Sequence, residues 1–371
     1  MNSDRIKKIT LYPFDIRLND PFVISLETIT HAHNVLVHIQ CEDPLLNGWG
    51  EASPYQTILG ETQATQLLTG TLIAKSLIGI SVTDLTTCIG KLNTTIAFNR
   101  CIKSAFEMAL QDIYAKIQEK PLYKVLGGQA KVLKTDMTIG IGSPESMVES
   151  ACLFVEKGFT EIKLKLGKDP LEDISRVEKI RSALEPHIKL RIDANQGWNA
   201  DDAISVLKEI AQYSIEHCEQ PVSARDIQAL KKVHEQSRIP IMADESLFDS
   251  NDALALITLN ACSQFNIKLG KSGGIQEALK ILHLAVLHGL PCQVGCFSES
   301  RIGITALAHL AVSSDQIVYF DMDSPLMLSE DPVIGGALYK LSNEIHLDDS
   351  PGLGLQVDST FLKTLTKIEV D

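Results

Sequence analysis

Two lysines with one residue between them stand at the end of the apolar run Glu161-Ile-Lys-Leu-Lys-Leu-Gly167. Because side chains alternate along a β-strand, Lys163 and Lys165 are predicted to project from the same face at the strand's carboxyl end. Burying two ammonium groups on one face of a core strand costs free energy unless each has a partner. The pattern therefore predicts a site that uses both lysines.

Further strand-like runs after Lys165 each end in a charged residue, and most of these recur at intervals of 24 to 28 positions. They are Asp193, Glu219, Asp244, Lys268 and, after room for one further unit, Asp321. This spacing is typical of the βα unit of a parallel barrel, whose active site lies at the carboxyl ends of the strands. From Met137–Ile141 to Ile317–Asp321 the chain supplies eight strand-like runs, which predicts a barrel of the α/β class.

The chain before the barrel has a different pattern. Ile6–Tyr12 and Val35–Ile39 are predicted strands, and the polar stretch from about Arg17 to His33 between them is predicted to be a long loop. Such a long connection is more often a functional lid than a plain linker. Residues 61–119 have apolar positions at helical spacing, and this helical part ends before Lys120-Pro121.

These shifts predict three parts of the chain. Residues 1–126 form an α+β unit that carries the lid loop, and residues 127–330 form the barrel with the site. The regular pattern ends near residue 330, so residues 331–371 are expected to return and pack on the first unit.

The composition excludes several classes of function. With 371 residues and a net charge of −13, nucleic acid and anionic membranes are unfavourable partners. The start of the chain lacks the apolar segment of a secretory signal, and no apolar run reaches the roughly 18 residues of a membrane span. The eight cysteines are scattered, without zinc-like pairing, so we expect reduced thiols and a cytoplasmic protein.

Three carboxylates are predicted to converge, because Asp193, Glu219 and Asp244 end consecutive strands that lie about 4.8 Å apart. Anions this close raise one another's pKa unless a cation neutralises them. Oxygen-only ligands favour a hard ion, hence one Mg²⁺ per subunit. Asn195 is a candidate supporting residue, and the alternative for the acids is a set of surface salt bridges.

Lys165 and Lys268 are the candidate catalytic bases, because they end strands on either side of the carboxylate group. This arrangement suits proton removal from a carbon next to a carboxylate, with Mg²⁺ stabilising the resulting ene-diolate. Lys163 would lower the pKa of Lys165 by adding nearby positive charge. The alternative, a Schiff-base lysine, leaves the three acids without a role.

Taken together, these motifs resemble those of the enolase superfamily, and specifically its muconate lactonizing enzyme-like subgroup. The motifs are Lys163-x-Lys165, Asp193-x-Asn195, Glu219-Gln-Pro221, Asp244-Glu-Ser246 and Lys268, with capping-domain similarity at Gly48-Trp-Gly-Glu-Ala52, Ser104–Lys116 and Pro121–Gly128. The resemblance implies a modified TIM barrel of the (β/α)7β type, with an N-terminal α+β capping domain that the C-terminal tail completes. It also implies abstraction of an α-proton from a Mg²⁺-bound carboxylate substrate.

Asp321-Met-Asp323 is similar to the Asp-x-Asp motif of the dipeptide epimerases in this subgroup. Two carboxylates on one side of a strand end suit a substrate ammonium group, although a solvated acidic loop is the alternative. The resemblance implies inversion of the second residue's α-carbon, with L-Ala-D/L-Glu, a murein peptide, as the expected substrate. Lys163, Thr138 and Cys296 are further candidate substrate-binding residues.

One position departs from the pattern of the Ala-Glu epimerases, which place an arginine in the lid loop against the substrate's side-chain carboxylate. Glu27 stands at the matching place here, with no arginine between Arg17 and Arg100. An epimerase for non-acidic dipeptides therefore stays open.

An N-acylamino acid racemase, an o-succinylbenzoate synthase and a muconate cycloisomerase share the expected fold and stay open as well, although none of them requires an ammonium-binding Asp321/Asp323 pair. A non-catalytic binding barrel is the alternative from a different class. Gly295-Cys296 stands where the sugar-acid dehydratases have a histidine, which counts against that activity. A homo-oligomer is expected.

Overall fold

The computed structural model describes residues 4–371, so residues 1–3 of the predicted first unit lie outside the described part. The N-terminal part combines an antiparallel sheet with helices. Its elements are β1 (Ile6–Val23), β2 (Thr28–Cys41), β3 (Asn47–Ala52), α1 (Gln56–Leu59), α2 (Gln63–Leu77), α3 (Leu85–Thr95), α4 (Arg100–Ile117) and α5 (Leu122–Val125).

The predicted loop from Arg17 to His33 is wrong, because β1 and β2 continue through it as one long antiparallel hairpin. Phe14, Ile16 and Leu18 are buried while the residues between them are exposed, so this stretch has the alternation of a half-buried strand. The pairing shifts register between Arg17 and Phe22, which accommodates Pro21. Only the tip turns, where the Ile24 amide donates to the Glu27 carbonyl over 3.0 Å.

Strand β3 passes directly against helix α4, and two glycines make this approach possible. A Cβ atom on Gly50 would lie 1.8 Å from the Ala105 carbonyl oxygen, and one on Gly48 would lie 2.1 Å from that of Ala109. The two glycines therefore allow the backbones of β3 and α4 to approach closely. This approach packs the capping sheet on α4, whose predicted apolar face is buried here.

The barrel begins after the short strand β4 (Leu133–Lys134), and all eight predicted strands are present in one parallel sheet. The strands, in the order of the sheet, are β5 (Met137–Ile139), β6 (Glu161–Lys165), β7 (Lys189–Asp193), β8 (Ile215–Glu219), β9 (Ile241–Ala243), β10 (Gln264–Ile267), β11 (Cys292–Gly295) and β12 (Ile317–Asp321). Helices follow the strands: α6 (Pro144–Glu156), α7 (Pro170–Ala183), α8 (Ala200–Ile210) with the 3-10 turn Ala211–Tyr213, α9 (Ile227–Gln236), α10 (Ser250–Leu259), α11 (Leu269–Ser272), α12 (Ile275–His288), α13 (Arg301–Ala311) and α14 (Ser324–Met327).

The barrel is nearly closed between β12 and β5. The Asp136 amide donates to the Phe320 carbonyl over 3.1 Å, and the Met322 amide donates to the Thr135 hydroxyl over 2.9 Å. Directly after β12 the chain forms only the four-residue helix α14 before the strands of the tail, which agrees with a (β/α)7β arrangement. The predicted α/β class and modified TIM barrel are confirmed.

The tail returns to the rest of the chain through strand pairing. Its elements are β13 (Val333–Gly335), β14 (Leu338–Lys340), β15 (Glu344–His346), β16 (Leu355–Val357), α15 (Ser359–Thr364) and β17 (Ile368–Val370). Strand β15 pairs with β4, and β17 pairs with the edge of β1, with Val370 opposite Ile9. The division at residues 126 and 330 stays a prediction.

A buried carboxylate joins the cap to the barrel mouth. Glu51 in β3 is 1% exposed, and its oxygens accept from the Asn34 side-chain amide, the amide and hydroxyl of Ser300, and the Gly303 amide, over 2.8–2.9 Å. Burial raises the pKa of Glu51, while these donors act in the opposite direction. Because Ser300 and Gly303 lie at the start of α13, the contacts hold the cap over the site.

Two further findings bear on the composition-based expectations. Between residues 4 and 371, no helix has both the length and the apolar character needed to cross a membrane. The eight cysteines all lie in this part of the chain and form no disulfide there.

Candidate active site

The structure brings together the three carboxylates that end β7, β8 and β9. Asp193, Glu219 and Asp244 are each 0% exposed, and each offers a carboxylate oxygen within 4.8 Å of the others. Asp193 and Glu219 are direct partners in the register of β7 and β8. The cluster lies at the carboxyl edge of the sheet, where the strand period predicts it.

These residues fit a divalent cation such as Mg²⁺ because the donor set is all oxygen, buried and anionic. Burial opposes ionisation of Asp193, but the ammonium groups of Lys165 and Lys163 outweigh burial and hold its pKa below the ordinary value. Ionised carboxylates at such short separation repel one another. A cation of high charge density is the group that relieves this repulsion.

Lys165 and Lys268 flank the carboxylates from opposite sides. The Lys165 Nζ lies 2.6 Å from Asp193 Oδ2, and the Lys268 Nζ lies 2.8 Å from Asp244 Oδ2. Burial alone would lower the pKa of Lys268, but Asp244 and Glu219 raise it above the ordinary value. A cation held by these acids would compete with the ion pairs that keep this lysine protonated.

Gly295 makes room for Lys268 at the end of β11. A Cβ atom on Gly295 would lie 3.0 Å from Lys268 Cε and 2.6 Å from the Asn266 side-chain oxygen. On the far side, the Lys268 ammonium lies 4.9 Å from the ring centroid of Phe297. The lysine is therefore held between a glycine and an aromatic face, which restricts its rotamers.

Lys163 has the densest ionic surroundings of the predicted site residues. Its Nζ lies 2.7 Å from Glu219, 2.8 Å from Asp321 and 3.3 Å from Asp193, and the side chain is 1% exposed. Burial lowers the pKa of Lys163, but Asp321 and Glu219 reverse this and raise it well above the ordinary value. Lys163 is not among the residues that line the pocket described below, so its predicted substrate contact stays a prediction.

Asp321 and Asp323 both line the pocket, but they do not meet by strand alternation as predicted. Strand β12 ends at Asp321, and Asp323 has helical backbone angles as the residue before α14. The chain therefore turns after the strand, and this turn brings both carboxylates to the pocket. One carboxylate oxygen of Asp321 and one of Asp323 lie within 4.8 Å of each other and of the Cys296 sulfur.

The pKa values of Asp321 and Asp323 are shifted in opposite directions. Asp323 Oδ2 accepts from the Thr138 amide over 2.7 Å, and Cys296 Sγ lies 3.9 Å from Asp323 Oδ1. Burial and the charge of Asp321 raise the pKa of Asp323 to about 6. Burial acts in the same direction on Asp321, but Lys163 and further lysines outweigh it and lower its pKa. The pair therefore forms an anionic corner, lined also by Thr138 and Cys296.

Asn195 connects the carboxylates to the hairpin, and its predicted supporting role stays a prediction. Its amide donates to Asp193 Oδ1 over 2.9 Å, and its side chain donates to Glu245 over 3.1 Å. The hairpin tip reaches the same residue, because the Ser25 hydroxyl donates to the Asn195 carbonyl over 2.8 Å. Asn195 has φ +40°, a left-handed conformation in which asparagine is well tolerated.

Several polar partners of the carboxylates were missed by sequence reasoning. Asn266 and Gln293 each donate to Glu219, over 2.8 and 3.0 Å, and the buried Lys271 pairs with the Asp244 carboxylate. A signal was present for two of them, because Asn266 lies two positions before Lys268 and Gln293 lies two positions before Gly295, on the same face of each strand. Lys271 follows β10 on a four-residue helix, where no strand period applies.

The pocket over these groups has two unlike sides. The barrel contributes the polar groups, which are Thr138, Lys165, Asn195, Lys268, Cys296, Ser298, Asp321, Asp323 and Ser324, together with the apolar Phe297, Met327 and Leu328. The cap contributes apolar side chains, which are Leu18, Phe22, Ile24, Ile29, Tyr55 and Ile58. Charged chemistry on one side and an apolar cover on the other are typical of a site that excludes water from its substrate.

Comparison with known proteins identifies the family. Residues 146–361 match the enolase C-terminal domain-like family, and residues 8–127 match the N-terminal domain of mandelate racemase and muconate lactonizing enzyme. A D-Ala-D/L-Ala epimerase from Cytophaga hutchinsonii is 44% identical over 98% of this chain and 99% of its own length. An L-Ala-D/L-Glu epimerase from Clostridium acetobutylicum is 39% identical over 95% of this chain and 98% of its own length.

A solved structure has the same architecture. The crystal structure of a dipeptide epimerase from Cytophaga hutchinsonii, complexed with Mg and the dipeptide D-Ala-L-Val, superposes with a TM-score of 0.97 at 43% identity. The match covers 99% of this chain and 100% of that one. The chain therefore belongs to the enolase superfamily, as an isomerase of its mandelate racemase and muconate lactonizing enzyme branch.

Proposed function

We propose that this chain is a Mg²⁺-dependent dipeptide epimerase that inverts the α-carbon of the second residue. The observation that carries the proposal is that Lys165 and Lys268 enter one pocket from either side of the carboxylate cluster. A single base would not need a second lysine across the site. The relatives named above act as epimerases, which supports the same reaction class.

Asp193, Glu219 and Asp244 would hold Mg²⁺, which when bound supplies positive charge against the negative charge that develops on the substrate carboxylate. The neutral amine of one lysine takes the α-proton and becomes an ammonium group. The ammonium group of the other lysine delivers a proton to the opposite face of the same carbon and becomes neutral. One proton leaves and one arrives, so the configuration inverts without an oxidant or reductant.

Asp321 and Asp323 are proposed to bind the free amine of the dipeptide's first residue. Both are nearly buried, and the Cys296 sulfur is beside them, so a cation entering this corner exchanges water for charged acceptors. An N-acylamino acid has a neutral amide there and gains less from the pair. This contrast favours a dipeptide over the substrates of the racemase and o-succinylbenzoate synthase alternatives.

Deuterium exchange tests the proposal directly. Dipeptide pools incubated with enzyme and Mg²⁺ in D₂O should gain one mass unit at the second residue's α-carbon as the isomers interconvert. Excess chelator should stop both exchange and inversion. Absence of exchange from every free dipeptide, or exchange confined to N-acylated compounds, would contradict the proposal. The expected L-Ala-D/L-Glu substrate, its place in murein-peptide metabolism, the cytoplasmic location and the homo-oligomer stay predictions.

A further inference from the structure

The cap side of the pocket has an apolar wall that the proposed reaction leaves unexplained. Ile24 and Ile29 come from the two strands' ends at the hairpin tip, and Ile58 follows β3. Tyr55 completes this wall with its ring stacked on Phe297 at 5.3 Å between centroids. Ile24 and Tyr55 are 3% and 8% exposed, whereas Ile29 and Ile58 are half-buried, so most of the wall's apolar surface is shielded from water.

No cation on this wall could receive an acidic substrate side chain. Among the described residues that line the pocket, the lysines are Lys165 and Lys268, both from the barrel and both paired with carboxylates. Glu27 at the hairpin tip faces elsewhere, because it is exposed and accepts from the Thr57 hydroxyl over 2.7 Å. It lines a neighbouring surface pocket instead.

The direction of the substrate side chain follows from the positions of the other groups. A dipeptide spans about 7 Å when extended, so its amine at Asp321 and Asp323 leaves its carboxylate near the acid cluster. The α-hydrogen of the second residue must then point at Lys165 or Lys268. The remaining substituent of that carbon is the side chain, and the part of the pocket left to receive it is the apolar wall at the hairpin.

The geometry points to an uncharged, apolar side chain on the residue that is epimerised, with Ile24 and Ile29 as the residues that set this preference. This inference rests on the proposed function and narrows its substrate class. A carboxylate placed on the wall would lose its water and meet no cation there, since the Tyr55 hydroxyl is the wall's one polar group, and the anionic corner at Asp321 and Asp323 would repel it. Glutamate, the second residue expected from the resemblance, is therefore disfavoured.

The test compares three dipeptides on the wild-type enzyme: L-Ala-L-Val, L-Ala-L-Glu and L-Ala-L-Gln. Gln has nearly the shape of Glu without its charge. We expect kcat/KM for the valine compound to exceed that for the glutamate compound by at least about 100-fold, with the glutamine compound between them. Preference for the glutamate compound would overturn this inference alone. Absence of α-deuterium exchange from any dipeptide would instead contradict the proposed function.

Two variants at Ile29, one that adds a positive charge and one that adds only polarity, sharpen the test. Ile29→Arg should raise kcat/KM for L-Ala-L-Glu at least about tenfold and lower it for L-Ala-L-Val, because the wall then carries a cation. Ile29→Gln is the matched control, of similar polarity without charge, and should lower the valine value without raising the glutamate value. Ile24→Arg serves if Ile29→Arg does not fold. Equal effects of arginine and glutamine on the glutamate compound would contradict an electrostatic role for this wall.

Discussion

The two sides of the pocket are built on opposite principles. On the barrel side, Lys163 alone contacts three carboxylates at 2.7–3.3 Å, so each charged group is restrained by several others. On the cap side, the hairpin contributes apolar side chains to the pocket. Its polar contact with the residues beside the acid cluster is the hydrogen bond from the Ser25 hydroxyl to the Asn195 carbonyl. The charged groups of the barrel mouth are thus held by one another, whereas the hairpin faces the pocket with mainly apolar side chains.

The largest expected effect comes from the acid cluster. Asp244→Asn, or Glu219→Gln in a separate variant, should lower turnover by at least about 1,000-fold, because the cation that stabilises the developing charge is lost. Excess chelator should have the same effect on the wild type. The measurement is the rate of dipeptide epimerisation, with circular dichroism and thermal unfolding as the control for folding. Full activity in excess chelator would contradict the proposed requirement for Mg²⁺.

A smaller effect is expected at the anionic corner. A charge-assisted hydrogen bond contributes about 1.5–3 kcal/mol, so Asp323→Asn should lower kcat/KM for a free dipeptide roughly 10- to 150-fold. The N-acetylated dipeptide is the matched substrate, because it has no ammonium group to lose. Wild type should use it poorly, and the substitution should affect it much less. If wild type prefers the acetylated compound, an acylamino acid racemase replaces the epimerase.

The smallest effects are expected at the hairpin tip, where Ser25 contacts the site and Glu27 faces away from it. Ser25→Ala removes the contact with Asn195 and should lower kcat/KM about fivefold, which corresponds to one neutral hydrogen bond. Glu27→Ala removes an exposed contact with Thr57 and should change kcat/KM by no more than about twofold. Steady-state kinetics of the pair decide this. A larger loss at Glu27 than at Ser25 would show that the tip is oriented differently in the working enzyme.

The sequence allowed the barrel side to be predicted because its signal is periodic. Charged residues recur once per βα unit, and a parallel sheet places all strand ends at one edge, so Asp193, Glu219 and Asp244 could be placed together without coordinates. Asp321 and Asp323 were expected on one side of the eighth strand's end, and both line the pocket. Their meeting depends on a turn after β12 that strand alternation does not describe.

The hairpin could not be predicted in the same way. Its strands carry polar residues on the outer face, and Pro21 with a register shift interrupts the alternation, so the stretch resembled a loop. The directions of Ile24, Glu27 and Ile29 depend on the turn at the tip rather than on sequence spacing. The absence of an arginine from this stretch was visible in the sequence, but the apolar wall that the hairpin presents to the pocket was not.

The central claim is that Lys165 and Lys268 act on opposite faces of one carbon. Its most direct test is α-deuterium exchange from each isomer of a dipeptide separately, in D₂O with Mg²⁺, using Lys165→Ala and Lys268→Ala side by side. Each variant should lose epimerisation and retain exchange from one isomer only, with the two variants retaining opposite isomers. Equal residual exchange from both isomers in either variant would contradict the two-face arrangement.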